Sequence, residues 1–372
     1  MSVYLINASN LKAGGGLQVA DSVCCELNKF MHHSFIVVLS SYLDKTKERI
    51  LEYKNVRVIT YTIPDTFKTI VMGRDGTLDK LVELYHVDAV LTIFGPSRWK
   101  PRVNHLSGFA FPQLVFPDSP FFQRMRTIER IKWRIWSKVR QLSFMRSANY
   151  YWTENPYISS RVAVLFHNCN VYTVSNYYNQ VFDNPHNWGR SIILPTFEGT
   201  TCLSISSPTP HKNYGIIEET VRVLKVKYPD FRVRFVLTCT QEEWPLSNNV
   251  LDYVIYVGKV DVSDCPHLYE QANIMFMPSL LECFTATYPE AMRMNVPIVT
   301  TDLEFARGLC CDAACYYSAV DAEACAEAIY KVATDKVYAH QLVENGKKQL
   351  LKYDNYEQRA EKLVRILEEI TA

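Results

Sequence analysis

The feature that most constrains this chain is a rhythm. Short apolar runs alternate with longer segments whose apolar residues recur every three or four positions, and the alternation happens twice along the sequence. The short runs read as buried strands and the longer segments as amphipathic helices. In the first half, strands are predicted over 3–6, 35–39, 56–61, 89–93, 150–153 and 171–174, and the runs at 109–112 and 114–117 continue the pattern. Helices are predicted over 17–30, with Val19, Val23 and Leu27 on one face, and over 77–85. In the second half, strands are predicted over 201–206, 231–237, 254–257, 274–278 and 296–300, with helices over 215–228, 321–333, 336–351 and 355–370. Strand and helix alternating at this spacing favour parallel, doubly wound α/β sheets. Asn184-Pro185-His186-Asn187-Trp188-Gly189 has linker composition, so the division is placed between residues 1–185 and 186–354.

A chain of 372 residues with 48% apolar content suits two or three ordinary globular domains. A formal net charge of +1 gives no general attraction to nucleic acid. The eleven cysteines are scattered, mostly in apolar runs, with no C-x-x-C. That usage fits free buried thiols in a reducing cytoplasm and offers neither a disulfide framework nor a zinc site. No basic region precedes the first apolar residues and no apolar run approaches about 18 residues, so neither a signal peptide nor a spanning helix is expected.

Chemistry concentrates in residues 278–292. A buried strand leads into this stretch and a helix leaves it, with Glu282 and Glu290 eight positions apart around the loop. Such loops open at the carboxyl edge of a parallel sheet, where α/β folds bind ligands. The amides of residues 284–287 would face that crevice as a phosphate or diphosphate site, and a carboxylate on each side would take sugar or ribose hydroxyls. A second reading stays open. Thr287-x-x-Glu290 also fits a capping box, and Glu282 then becomes a solvated loop residue.

Three further features carry weight. Gly14-Gly15-Gly16 closes the loop after the first strand and reads either as a phosphate cradle or as a turn that lets helix pack on strand. A dinucleotide fingerprint is incomplete, because Ser40-Ser41 stand where an acid would end the second strand. Asp118 is expected to follow a strand and grip an acceptor hydroxyl, or else to form an Asx-turn or cap ahead of Ser119-Pro120. Residues 121–148 hold eight Arg or Lys and one acid, Glu129. Arg126, Arg130, Arg134 and Lys138 form one helical stripe, and Ile128, Ile131, Ile135, Val139 and Leu142 the opposite one. Such a helix, with Trp133 and Trp136, either lies against anionic lipid or docks its apolar stripe on its own domain.

The stretch at Glu282 resembles the E-x7-E region of retaining glycosyltransferases of family 4, which have the GT-B fold. Glu282, Phe284, Glu290, Ala291, Met292, Pro297 and Val299 are in register with the usual E-G-F-G-L-P-x-x-E-A-M and G-x-P-V-V pattern, while Cys283, Thr285 and Asn295 depart from it. The resemblance implies two facing doubly wound Rossmann-like domains with a cleft between them, the first for the acceptor and the second for a nucleotide-sugar. It implies that a terminal helix, here 355–372, packs back on the first domain. By it, Glu290 takes the ribose hydroxyls, Glu282 sits by the sugar ring, and main-chain groups near Phe284, Thr285 and Ala286 cup sugar and phosphates. Lys212 matches the cation that neutralises the diphosphate. The family's Arg falls near Ser207, where none stands, so His211 is expected to help. Val257-Gly258-Lys259-Val260 resembles the turn that reads the base, and the Gly14–Gly16 loop faces the diphosphate and acceptor.

The implied activity is a retaining, metal-independent hexosyl transfer to a saccharide or lipid-linked acceptor in the cytoplasm. The basic helix, with Arg126, Arg130, Arg134 and Lys138, adds the expectation of an acceptor at the membrane surface, which would make this a peripheral enzyme of bacterial-type surface-polysaccharide biosynthesis. No D-x-D triplet occurs, and no cofactor is expected. Two alternatives share the fold: a non-hydrolysing sugar-nucleotide epimerase and an inactive nucleotide-sugar-binding protein.

Overall fold

A computed structural model of the chain describes residues 1–167, 169–190 and 192–372. It divides into two compact units, one of Met1–Pro117, Met125–Asn176 and Asp354–Ala372, the other of Asp118–Arg124 and Tyr177–Tyr353.

Among the described residues, the first unit builds a seven-stranded sheet from β1 (Val3–Ala8), β2 (Ser34–Leu39), β3 (Val56–Thr60), β4 (Ala89–Thr92), β5 (Asn104–Gly108), β6 (Tyr150–Thr153) and β7 (Asn170–Thr173). Every neighbouring pair is parallel, in the order β3-β2-β1-β4-β5-β6-β7. The central strands β1, β2 and β4 are largely apolar because both faces are covered. Tyr4, Phe35 and Val37 enter one core cluster, while Leu5, Ile36 and Val38 enter another.

β5 lies where the sequence showed no strand. Its His105 is buried but satisfied: Nε2 lies 2.8 Å from Thr92 Oγ1, and Nδ1 lies 2.7 Å from the Ser147 carbonyl, whereas Ser107 Oγ is buried without a partner. The runs expected to continue the sheet at 109–112 and 114–117 form no strand, and Pro112–Val115 is instead a helical turn with proline at its start. Asp118 therefore follows a helical turn, not a strand, and belongs to the second unit.

Of the two readings of the helix Thr127–Ser147, docking of its apolar stripe on its own domain is not what the structure has. Phe144 is fully buried against Phe109 and Phe166, and Arg140 lies over the Phe111 ring at 4.8 Å. The aliphatic stripe Ile128, Ile131, Ile135, Val139 and Leu142 is exposed instead of docked, and Arg130 turns half-buried. The terminal helix Tyr356–Thr371 adds Leu363, Val364, Leu367 and Ile370 to the β1–β4 core. Its buried Arg359 bonds Asn176 Oδ1 and Ser22 Oγ, and Asn176 Nδ2 donates to Glu154 Oε1 at 2.6 Å.

The second unit contains β8 (Thr200–Ser204), β9 (Val233–Leu237), β10 (Val254–Tyr256), β11 (Ile274–Met277), β12 (Ile298–Thr301) and β13 (Ala314–Tyr317). All are parallel, in the order β10-β9-β8-β11-β12-β13. The chain builds outward from β8 to β10, then returns to place β11 on the other side of β8. That reversal is a topological switch point, and the loops at the carboxyl end of such a point are where open α/β sheets bind ligands.

Residues 184–189 are not a free linker. Trp188 Nε1 donates to the Val181 carbonyl at 3.0 Å and the Gly189 amide to the Ser263 carbonyl at 2.8 Å. A Cβ at Gly189 would fall 2.1 Å from Asp264 Oδ1, so close packing explains this glycine. The chain passes between units at Asn176–Tyr177, ahead of the division placed after residue 185.

Candidate active site

Three segments of the second unit meet at the switch point between β8 and β11. The loop after β8 ends in the turn Pro210–Lys212, closed by Asn213 in the left-handed conformation at φ 55°. The loop after β11 is fastened to it, since the Leu280 amide donates to the His211 carbonyl at 2.7 Å. Residues 118–124 fasten to both. Ser119 Oγ donates to the Leu280 carbonyl at 2.7 Å, and Arg124 Nη1 donates to Asn213 Oδ1 at 2.5 Å. The Phe121 ring stands edge-on to His211 with centroids 6.1 Å apart.

This framework brings Lys212 and Glu282 together. Lys212 Nζ donates to Glu282 Oε1, and Ser279 Oγ donates to the same oxygen at 2.7 Å. Both charged side chains are about one-tenth exposed, so neither keeps its hydration shell and each depends on the other. Among the described residues, Glu282 Oε2 takes no protein donor, which leaves it open to a ligand hydroxyl. His211 Nε2 stands 3.9 Å from Glu282 Oε1. Burial pushes the imidazole below its ordinary value despite the Glu282 charge, with Lys212 adding to the fall. His211 is therefore a neutral neighbour, and Lys212 is the cation of the pair. Asn213 Nδ2 is buried beside it without a partner.

Glu290 lies on the short helix Thr287–Arg293 and is 4% exposed. The Tyr269 hydroxyl donates to its Oε2 at 2.9 Å, and no other side-chain donor among the described residues reaches it. Burial raises its carboxyl to about 7, partly opposed by that hydrogen bond. The capping-box reading fails on geometry. The helix is capped by Ala286 with no side-chain bond, and Thr287 Oγ1 pairs with Thr285 Oγ1 at 2.6 Å. Glu290 is thus a buried carboxylate without a capping duty.

Between the two glutamates, no hydrogen bond is donated by the amides of Phe284, Thr285 and Ala286 among the described residues. Phe284 rests edge-on against Tyr353 at 6.2 Å. Cys283 and Thr285 replace the usual glycines without positive φ, whereas Asn295 takes φ 58°, the left-handed conformation a glycine would otherwise supply. Val260 lies half-buried in the loop after β10, beside Gly258 at φ 72°.

Asp118 is exposed and heads the turn Pro120–Gln123, but Ser119 is the cap, accepting from the Phe121 amide at 3.2 Å. The three glycines lie in the first unit, after β1 and beside its own β1/β4 switch point. Gly14 needs its φ of 73°, a Cβ at Gly15 would meet nothing, and one at Gly16 would approach Leu11 at 3.3 Å. The loop is thus open where its helix, Gly15–Cys25, begins.

Sequence reasoning missed Ser279, Tyr269, Asn213 and Arg124. Tyr269 sits on the helix Cys265–Glu270, too short to show a period. Arg124 lies within the basic stretch 121–148 but belongs to residues 118–124 of the second unit. Lys212-Asn213 did carry one signal, since asparagine ending a turn favours the left-handed conformation.

Residues 200–349 match the family described as glycosyl transferases group 1, and this span includes Lys212, Glu282 and Glu290. Solved structures are similar over the whole chain. A sucrose-phosphate synthase from Thermosynechococcus elongatus is 16% identical, with a TM-score of 0.69 over 100% of this chain and 99% of that one. A glycosyltransferase from Rickettsia africae is 15% identical, with a TM-score of 0.70 over 99% and 98%. Anabaena HepE, solved in complex with UDP-glucose, is 12% identical, with a TM-score of 0.70 over 99% and 100%. At these identities the likeness concerns the fold, two doubly wound halves of the GT-B type. None of the curated proteins matches the sequence.

Proposed function

We propose that this chain moves a glycosyl group from a nucleotide-sugar to a saccharide or lipid-linked acceptor in polysaccharide biosynthesis, with retention at the anomeric carbon. The observation that carries the reading is the Lys212–Glu282 pair at the switch point, inside the span matched to glycosyl transferases group 1. Around it stand free amides and a second buried carboxylate, the chemistry a sugar diphosphate requires.

Each group has a role. Glu290 takes the ribose hydroxyls, with Tyr269 fixing its other oxygen. The amides of Phe284, Thr285 and Ala286 receive the sugar and diphosphate, and the main chain at Val260 reads the base. Glu282 Oε2 accepts a sugar hydroxyl while Lys212 holds Oε1. As the bond from the anomeric carbon to the diphosphate breaks, negative charge grows on the leaving oxygen, and Lys212 meets it. Arg124, anchored through Asn213, adds a second positive group where the family's arginine is missing. The acceptor oxygen bonds to the same face of the anomeric carbon, and its proton passes to the departing phosphate oxygen. Lysine and arginine supply the electrostatics in place of a metal. The Gly14–Gly16 loop and Asp118 are assigned to the acceptor, and the protein works in the cytoplasm at the membrane surface.

The test is incubation with UDP-glucose and related donors plus a lipid-linked saccharide extract, with and without EDTA, followed by NMR of the product. The expected outcome is release of the nucleoside diphosphate coupled to a new glycoside that keeps the donor's anomeric configuration. An inverted linkage, or an epimerised donor formed without acceptor, would overturn the reading.

A further inference from the structure

The helix Thr127–Ser147 presents to water the face that a globular protein normally hides. It is held on the first unit by its polar and aromatic side: Phe144 is buried, Arg140 lies over Phe111, and Gln141 Nε2 donates to the Leu165 carbonyl at 2.9 Å. Outward stand Ile128, Ile131, Ile135, Trp136, Val139 and Leu142, between 46% and 70% exposed. An unbroken aliphatic stripe exposed along a helix of 21 residues marks an interaction surface.

A second element extends it. Arg146, near the end of the helix, bonds the carbonyls of Ile70 and Val71, the former at 3.1 Å from Nη2. These bonds hold residues 67–72 beside the helix, where Phe67, Ile70, Val71 and Met72 are also exposed. The turn keeps its shape from within, since Thr69 Oγ1 lies 2.6 Å from the Pro64 carbonyl. Exposed cations flank the apolar groups: Lys132, Arg134 and Lys138 on the helix, Lys68 and Arg74 by the turn. Glu129 is the one acid on the helix.

We propose that the helix Thr127–Ser147 and residues 67–72 form a docking face for an anionic lipid bilayer. The aliphatic stripe and Phe67 enter the acyl boundary, Trp136 sits at the headgroup level, and the flanking cations meet lipid phosphates. Charge complementarity selects this occupant. A second copy would set Lys132, Arg134 and Lys138 against cations like themselves, whereas an anionic headgroup layer neutralises them. No helix among the described residues is long and apolar enough to cross a membrane, so the face lies on the surface. The inference deepens the proposed function by selecting a lipid-linked acceptor and rests on that reading for the acceptor alone.

The test is sedimentation of the whole protein with phosphatidylglycerol–phosphatidylcholine vesicles or pure phosphatidylcholine vesicles, without any donor. Omitting donor keeps failure of docking separate from failure of sugar transfer. The expected result is at least tenfold stronger partition onto anionic vesicles. Both Ile131→Ser/Ile135→Ser/Leu142→Ser and Phe67→Ser/Met72→Ser should weaken it tenfold or more while thermal unfolding stays unchanged. Lys132→Ser/Arg134→Ser/Lys138→Ser should remove the preference for anionic lipid. Equal binding to both vesicle types, or binding that survives loss of the aliphatic stripe, would overturn the proposal. So would concentration-dependent dimers, or capture of an acidic protein in preference to vesicles, abolished by the same substitutions.

Discussion

Glu290 and Lys212 show how burial gives single residues their chemistry. The Glu290 carboxyl rises to about 7 because it is desolvated. Its proton is then held more tightly folded than unfolded, so its contribution to stability falls as pH rises from about 4.5 to about 7 and levels off above that. The fall should be on the order of 3 kcal/mol, and Glu290→Gln should flatten it in a series of melting curves against pH. Hydroxyl donors favour the ionised form, so binding a nucleotide-sugar at pH 6 should release a proton, visible in calorimetry across buffers of different ionisation enthalpy. Lys212→Met presents the opposite problem, a buried Glu282 with no counter-charge. It should lower stability by about 3–5 kcal/mol in urea unfolding, and adding Glu282→Gln should recover much of that loss.

At the scale of elements, the loop-and-helix around Glu290 depends on one backbone conformation. Asn295 at φ 58° turns the chain from the helix Thr287–Arg293 towards β12. Asn295→Val should lose about 1–2 kcal/mol, while Asn295→Gly should be close to neutral, as measured by urea unfolding. This position also shows what a sequence discloses. Asparagine in place of glycine read as a departure from a pattern, yet it serves the same conformation. The buried strands were legible because their apolar runs have no other use, Lys212 and Glu282 because they follow such runs, and Glu290 because it lies on the helix just beyond. β5 was hidden by His105 and Ser107, whose polarity suggests a loop until their burial and the bonds of His105 are known. Periodicity showed that the helix Thr127–Ser147 has two unlike faces, but not which one meets its domain. The polar side found aromatic and carbonyl partners, and the aliphatic side was left outside.

For the whole molecule, each unit closes its own parallel sheet, and non-local segments complete both. The terminal helix returns to the first unit through Arg359, and residues 118–124 cross into the second to bring Arg124 and Ser119 to the site. Contacts so distant in sequence have no local signature, which is why the division at 185 and the placement of Asp118 required the structure. The central claim is that the second unit binds a nucleotide-sugar through Glu290 and Lys212 without a metal. The most direct measurement is thermal unfolding against UDP-, GDP-, ADP-, dTDP- and CMP-sugars, with and without EDTA. At about 100 times its dissociation constant the right donor should add roughly 2.7 kcal/mol. The account predicts a rise in melting temperature with one nucleotide class, unchanged by EDTA and lost in Glu290→Gln. No rise with any of these donors, or a rise that Glu290→Gln leaves intact, would contradict it.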